Sequence, residues 1–327
     1  MTAPKPDKGS LPTFAPVSTR LTPRFAGVPT FLRLPVHADP ADVDVMICGA
    51  PFDGGTTFRP GARFGPRAVR VASALSRGHH PERGVSMFEK LRCADGGDIL
   101  CIPMSTERSL ANITARIYEI AHARAVPIMV GGDHTVSLGS LRALHRVHGP
   151  LGLIHVDAHS DTFGPAWDVD LHHGTVFRHA LREGLLRPQD VVQLGIRGPF
   201  TAAEDLGFAR EAGIRVVMMD EIKRDLAGTL QLIAEVSARG PSYVSFDMDG
   251  VDPAYAPGTG TPVPGGLTSF EALQLLRAVS GALVVGADVV EISPDHDSSG
   301  ITSLLAVSVL GEILAALAGA PCTRPAA

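Results

Sequence analysis

The chain has 327 residues, of which 45 % are apolar and 5 % aromatic, with 35 Gly and 26 Pro. That is enough apolar material for a large core, and the mix suits the tight turns of an α/β protein better than a β-sandwich. A net charge of −5 with no basic patch argues against nucleic acid as a partner.

Residues 1–20 are rich in Pro, Lys, Ser and Thr and are expected to form a flexible arm, with residues 21–327 as one domain. The N-terminus carries no apolar signal core, and no apolar run approaches the length of a membrane span. The four cysteines (Cys48, Cys93, Cys101, Cys322) show no paired spacing. Reduced thiols and a cytoplasmic location are the expectation. From Val43 onward, short apolar runs alternate with amphipathic stretches. Strands are expected at 43–49, 126–130, 151–156, 191–196, 214–218, 243–246 and 282–287. Helices are expected at 66–76, 107–123, 136–147, 202–211, 227–238, 269–279 and 301–317. Such β-then-α repetition predicts a three-layer α/β/α fold around a mainly parallel central sheet.

Three segments carry the chemistry. After the apolar run 151–156 come Asp157, His159 and Asp161, spaced by two so that an extended chain puts them on one side. Asp133-His134 follows another expected strand, and Asp247-Met-Asp249 a third. All lie just beyond the carboxyl ends of strands, where open α/β sheets build their sites. A single Asp there is usually a turn residue or helix cap, and Asp133 fits that reading. Two His and four Asp converging are different. Burying four carboxylates together costs too much without cations, so His134, Asp157, His159, Asp161, Asp247 and Asp249 are read as ligands for divalent metal.

The segments Gly131-Gly-Asp-His134, His155-Val-Asp-Ala-His-Ser-Asp161 and Ser245-Phe-Asp-Met-Asp249 resemble the three signatures of the ureohydrolase superfamily, which comprises arginase, agmatinase and related guanidino hydrolases. Arg59-Pro-Gly-Ala-Arg-Phe-Gly-Pro66, Gly195-Ile-Arg-Gly198 and Asp252-Pro-Ala-Tyr-Ala-Pro-Gly-Thr-Gly-Thr-Pro262 match as well, and the resemblance runs over residues 23–317. It implies an arginase-like fold with 21–327 as the catalytic domain, and two Mn2+ per subunit, with Ni2+ or Co2+ as alternatives. His134, Asp157, Asp161 and Asp247 would hold one ion. Asp157, His159, Asp247 and Asp249 would hold the other, with Asp157 and Asp247 bridging. Hydroxide between the metals would attack a guanidinium carbon, releasing urea and an amine, with Asp161 helping to move its proton. A small-molecule guanidino substrate and a homo-oligomer, trimer or hexamer, are the implied partners.

Two more positions match. His173 in His172-His-Gly174 fits a histidine that shuttles protons to the leaving amine. His172 reads as a loop residue. Glu271 fits the carboxylate that holds the guanidinium, against a plain reading as a first-turn helix Glu favoured by the dipole. Trp167 lies in the loop 163–170 and is expected to wall the substrate tail, with Asp168 and Asp170 beside it. Arg59, Arg63 and Arg67 are expected to fasten a turn or subunit contact.

Arginases generally carry a Ser-Gly-Asn-Leu-His-Gly-type stretch before the catalytic histidine; here it is Asp170-Leu-His-His-Gly174, which disfavours arginine. Agmatine and guanidino acids such as 4-guanidinobutyrate or 3-guanidinopropionate are the leading substrates. Substituted guanidines, biguanides or a non-catalytic regulatory subunit are the alternatives, and a zinc deacetylase on a related fold is disfavoured by the ligand set. The chain departs from the family pattern at Gly250 and at His296, where an aromatic residue is common.

Overall fold

The computed structural model describes residues 14–200 and 202–320. One sheet organises them. Its strands are β1 (Val45–Gly49), β4 (Cys93–Asp98), β5 (Val126–Val130), β6 (Leu151–Val156), β7 (Leu186–Ile196), β8 (Arg215–Met218), β9 (Ser242–Asp247) and β10 (Val284–Val290); β2 (His79–His80) and β3 (Val85–Ser86) form a separate antiparallel hairpin. The order across the eight-stranded sheet is β4-β1-β5-β10-β9-β6-β7-β8, and every pairing in it is parallel. Parallel sheets need cover on both faces. Strand side chains accordingly alternate between two cores: Val45 and Ile47 join one cluster, Met46 and Cys48 the other.

Helices α1 (Gly65–Ala72), α2 (Met87–Lys90), α7 (Met219–Arg224), α8 (Leu226–Ser237), α9 (Ser269–Arg277) and α10 (Ile301–Gly319) contribute to the first core. Helices α3 (Thr106–His122), α4 (Val136–His148), α5 (Val176–Arg182) and α6 (Gly207–Glu211) close the second. The expected three-layer α/β/α arrangement is what forms.

Helix α10 is long and apolar enough by composition to cross a membrane, which the sequence reading missed. It is instead apolar all round because it is buried in the fold. Its one acid, Glu312, is buried and paired with His80 Nε2 at 2.9 Å and Arg277 Nε at 2.8 Å, tying the hairpin and α9 to it.

Strand β4 was not expected. Its sequence, Cys-Ala-Asp-Gly-Gly-Asp, reads as a turn, and it is tolerated because it pairs only at the sheet edge. Strand β10 begins two residues later than expected and runs three residues further, which moves the end of the strand to Val290. Helix α5 was also missed. Within the expected arm, residues 1–13 lie outside the described residues, while the Phe14 carbonyl accepts from Cys93 N at 3.1 Å and Val17 N donates to the Arg33 carbonyl at 3.0 Å. Cys48, Cys93 and Cys101 are unpaired, and burial pushes the Cys48 and Cys101 thiols up to about 12 and raises the Cys93 thiol as well. Cys322 lies outside the described residues.

Candidate metal centre

Four neighbouring strands, β5, β10, β9 and β6, deliver the site from their carboxyl ends. After β5 the chain turns tightly: a Cβ at Gly132 would overlap the Phe52 carbonyl oxygen, so only glycine lets the backbone pass. That turn presents His134. After β6, Asp157 N is held by the Leu194 carbonyl at 3.0 Å, and His159 N donates to Asp157 Oδ1 at 2.5 Å. Asp161 adopts φ 50°, and its carbonyl accepts from Phe177 N at 3.0 Å at the start of α5. After β9, Asp247 Oδ1 accepts from Asp249 N at 2.8 Å, while Asp249 takes Ala158 N at 3.1 Å and Thr261 Oγ1 at 3.0 Å.

These turns bring all six expected ligands together. His134 Nδ1 lies 3.2 Å from Asp157 Oδ2, 2.9 Å from Asp161 Oδ2 and 3.1 Å from Asp247 Oδ2. His159 Nδ1 lies 3.4 Å from Asp157 Oδ1 and 3.0 Å from Asp249 Oδ2. Asp157 is therefore common to both groups. His159 is the most open of the six, its side chain 27 % exposed; the others are buried.

The donor set fits metal. His134 Nδ1 is buried and makes no hydrogen bond of acceptable geometry, although three carboxylates surround it. One ring nitrogen has at most one proton to give, so three acids converging on it are arranged for a cation rather than for that proton. Without metal the charges press on one another. Burial and the neighbouring Asp249 and Asp157 raise Asp247 well above the usual carboxylate range. Burial opposes ionisation of Asp157 too, but His155, His134 and His159 outweigh it and hold Asp157 well below that range. The imidazoles of His134 and His159 are desolvated, yet their carboxylate partners raise both well above the usual value.

His155, read only as part of the motif, stands behind the cluster. Its Nε2 lies 2.8 Å from Asp157 Oδ2, and its Nδ1 faces the Gln193 amide at 3.1 Å. Asp133 takes the plain role expected of it, accepting from Gly55 N at 2.7 Å and Thr135 N at 3.0 Å; burial and nearby Glu291 push it up to about 7.

His173 enters from the 3-10 turn before α5. Its Nδ1 is 2.8 Å from Glu291 Oε1 and its Nε2 is 2.7 Å from Thr57 Oγ1. Burial disfavours its charged form, but Glu291, Asp161 and Asp133 outweigh burial and push it up to about 9. His172 caps that turn, accepting from Gly174 N at 3.2 Å, as a loop residue would.

Glu271 is a correction. Its carboxylate forms the capping box of α9 with Thr268 and contacts Lys223 Nζ at 2.7 Å. No described contact joins it to the cluster. The helix-start reading wins because Thr268 stands three residues before it, the spacing of a reciprocal cap.

The carboxylate that does face His173 is Glu291, which the sequence reading missed. It follows β10 directly, is 1 % exposed, and takes His134 N at 2.9 Å besides His173. Its Oε2 is buried without a partner. Asp161 and Glu291 both hold left-handed φ values, 50° and 60°. Such backbone costs roughly 1–3 kcal/mol per residue and gathers at functional sites. A strand end three residues later in the sequence reading would have exposed Glu291 as an acid following a strand, like Asp157 and Asp247.

Trp167 is 80 % exposed at the tip of a two-residue turn, with φ 49° at Trp167 and 60° at Asp168, closed by Ala166 and Val169. Arg63 ties the loop before α1 to buried Asp53, whose Oδ2 also takes Gly61 N at 2.8 Å, while Arg59 lies against the neighbouring Phe58 ring.

Clustered carboxylates and imidazoles at the carboxyl edge of a parallel α/β sheet form a site that could hold metal. The arginase family model matches residues 43–316, and the chain belongs to that family. It is 47 % identical over 308 residues to a guanidinopropionase of Pseudomonas aeruginosa, covering 93 % of this chain and 96 % of that one. A guanidinobutyrase of the same organism is 40 % identical over 308 residues, covering 93 % and 97 %. The solved structure of proclavaminate amidinohydrolase from Streptomyces clavuligerus superposes with a TM-score of 0.87 at 46 % identity, covering 91 % of this chain and 99 % of that one.

Proposed function

We propose that the chain is a binuclear-metal amidinohydrolase that splits a guanidino compound into urea and an amine. The observation that carries this is the partnerless His134 Nδ1 among three carboxylates, beside a second group built on His159. His134, Asp157, Asp161 and Asp247 would hold one ion, and Asp157, His159, Asp247 and Asp249 the other. Mn2+ is the ion proposed, since four carboxylates favour a hard or borderline metal. Such a pair, when bound, supplies an activated water and polarises the electrophile.

The chain's own residues do the rest. Asp161, 2.9 Å from His134 Nδ1, would accept a proton from the attacking water. Glu291, with a free buried oxygen, takes the guanidinium-holding role first assigned to Glu271, pairing a planar cation with a carboxylate. His173, anchored on Glu291, whose carboxylate favours the protonated imidazole, would give a proton to the departing amine nitrogen. Trp167 is proposed to cover the substrate tail from the loop tip. Trp167→Ala should then raise KM with little change in melting temperature; unchanged KM would release it from the pocket.

The proposed substrate is a guanidino acid. What supports this is the similarity to a protein named guanidinopropionase, at 47 % identity, against 41 % for one named agmatinase. Urea release across 3-guanidinopropionate, 4-guanidinobutyrate, agmatine and arginine tests it. A preference for agmatine would reject the acid tail while leaving the reaction intact. Self-association as a trimer or hexamer is also proposed, supported by exposed Phe25, Val28, Val36 and Val71 lining one groove. A monomer by light scattering would reject it.

A further inference from the structure

Asp288 lies in β10, between β5 and β9, and is fully buried. A carboxylate in the middle of a sheet is expensive unless every lone pair is met. Here three hydroxyls meet it. Oδ2 accepts from Ser137 Oγ at 2.5 Å and Tyr243 OH at 2.7 Å, and Oδ1 accepts from Ser245 Oγ at 2.7 Å. Ser137 comes from α4, Tyr243 and Ser245 from β9.

Ser245 makes the connection. Its oxygen is also 2.8 Å from His134 Nε2. A serine hydroxyl has one proton. If that proton goes to Asp288, the oxygen can only accept at His134, so Nε2 must carry the imidazole proton. In the neutral ring the lone pair then sits on Nδ1, the atom that faces Asp157, Asp161 and Asp247. The ring plane is fixed independently, packed edge-on against Phe177 and His155 at centroid distances of 5.1 and 5.2 Å.

We infer that Asp288, acting through Ser245, is a positioning residue that fixes His134 in its metal-ligating tautomer and so tightens only the half of the centre that His134 serves. His159 has no comparable carboxylate-backed partner at Nε2 among the described residues. The two halves are therefore unequal by construction. This rests on the metal reading proposed above. Outer partners of metal-bound histidines are typically worth 10- to 100-fold in metal affinity.

The test is calorimetric titration of metal-free protein with Mn2+, with bound metal counted by elemental analysis. Wild type should bind two ions. Ser245→Ala, which removes one oxygen, should weaken one ion by roughly 10- to 100-fold and leave the other unchanged. Asp288→Asn keeps the shape and should weaken the same ion to a smaller extent. Tyr243→Phe strips a hydroxyl from Asp288 without touching Ser245, and should leave both affinities unchanged whatever it does to melting temperature. Wild-type affinities in both Ser245→Ala and Asp288→Asn would overturn the relay, and so would equal weakening of both ions or of Tyr243→Phe. A wild type that binds no metal would instead overturn the metal reading itself.

Discussion

Asp247→Asn should change stability in opposite directions with and without metal. In the metal-free protein Asp247 is buried beside Asp157 and Asp249, and this crowding raises its carboxyl well above the usual range. The amide removes that like-charge strain while keeping the shape. The metal-free variant should therefore melt at or above the wild-type temperature. With metal the balance reverses. An ion at a hundred times its dissociation constant stabilises the fold by about 2.7 kcal/mol, and two such ions by about twice that. For a chain of this size each kcal/mol moves the midpoint by roughly 1.5 °C, so the wild type should gain on the order of 8 °C on adding Mn2+. The variant has lost a ligand shared by both proposed ions and should gain little. Calorimetric melts in chelator and in saturating Mn2+ provide the comparison. A variant that matches the wild-type gain, or that melts far lower in chelator, would refute the charge argument.

Other consequences follow from the same geometry. His173→Ala should keep both metals and lose roughly 10²-fold or more in kcat, as for a general acid; unchanged turnover would remove it from the mechanism. In the metal-free protein the His173 imidazole should titrate near 9 by carbon-labelled NMR. Its folded value lies above the unfolded value of about 6.5, so its stabilising contribution is complete below about 6.5 and fades as pH rises through 9. The stability gap between wild type and His173→Ala should therefore narrow from pH 6 to pH 10, and a widening gap would contradict the assignment. Gly132→Ala must push its Cβ into the Phe52 carbonyl, and should cost several kcal/mol and loosen metal through His134. A variant melting like wild type would show that the turn has slack.

The cluster of His and Asp side chains was legible because its signal is local. Asp157, His159 and Asp161 sit two apart after an apolar run, and His134 and Asp247 follow runs of the same kind. A parallel strand buried on both faces is a continuous apolar segment, so β5 and β6 were found with their observed ends. Glu291 escaped for the opposite reason. Strand β10 ends in Gly-Ala-Asp-Val-Val, and Asp288 looks like the end of a strand when it is a buried acid whose partners come from β9 and α4. Such partners are distant in sequence and invisible to periodicity. Glu271 drew the assignment instead, and a capping box satisfies the same residue type with no ligand at all. Strand β4 was missed because an edge strand pairs on one side and tolerates glycine.

The most direct measurement is urea release by the protein loaded with Mn2+, with metal counted in the same sample and guanidino acids, agmatine and arginine as substrates. The account predicts two ions per chain and equimolar urea and amine, fastest from a guanidino acid. Two bound ions with no urea from any of these substrates would contradict it.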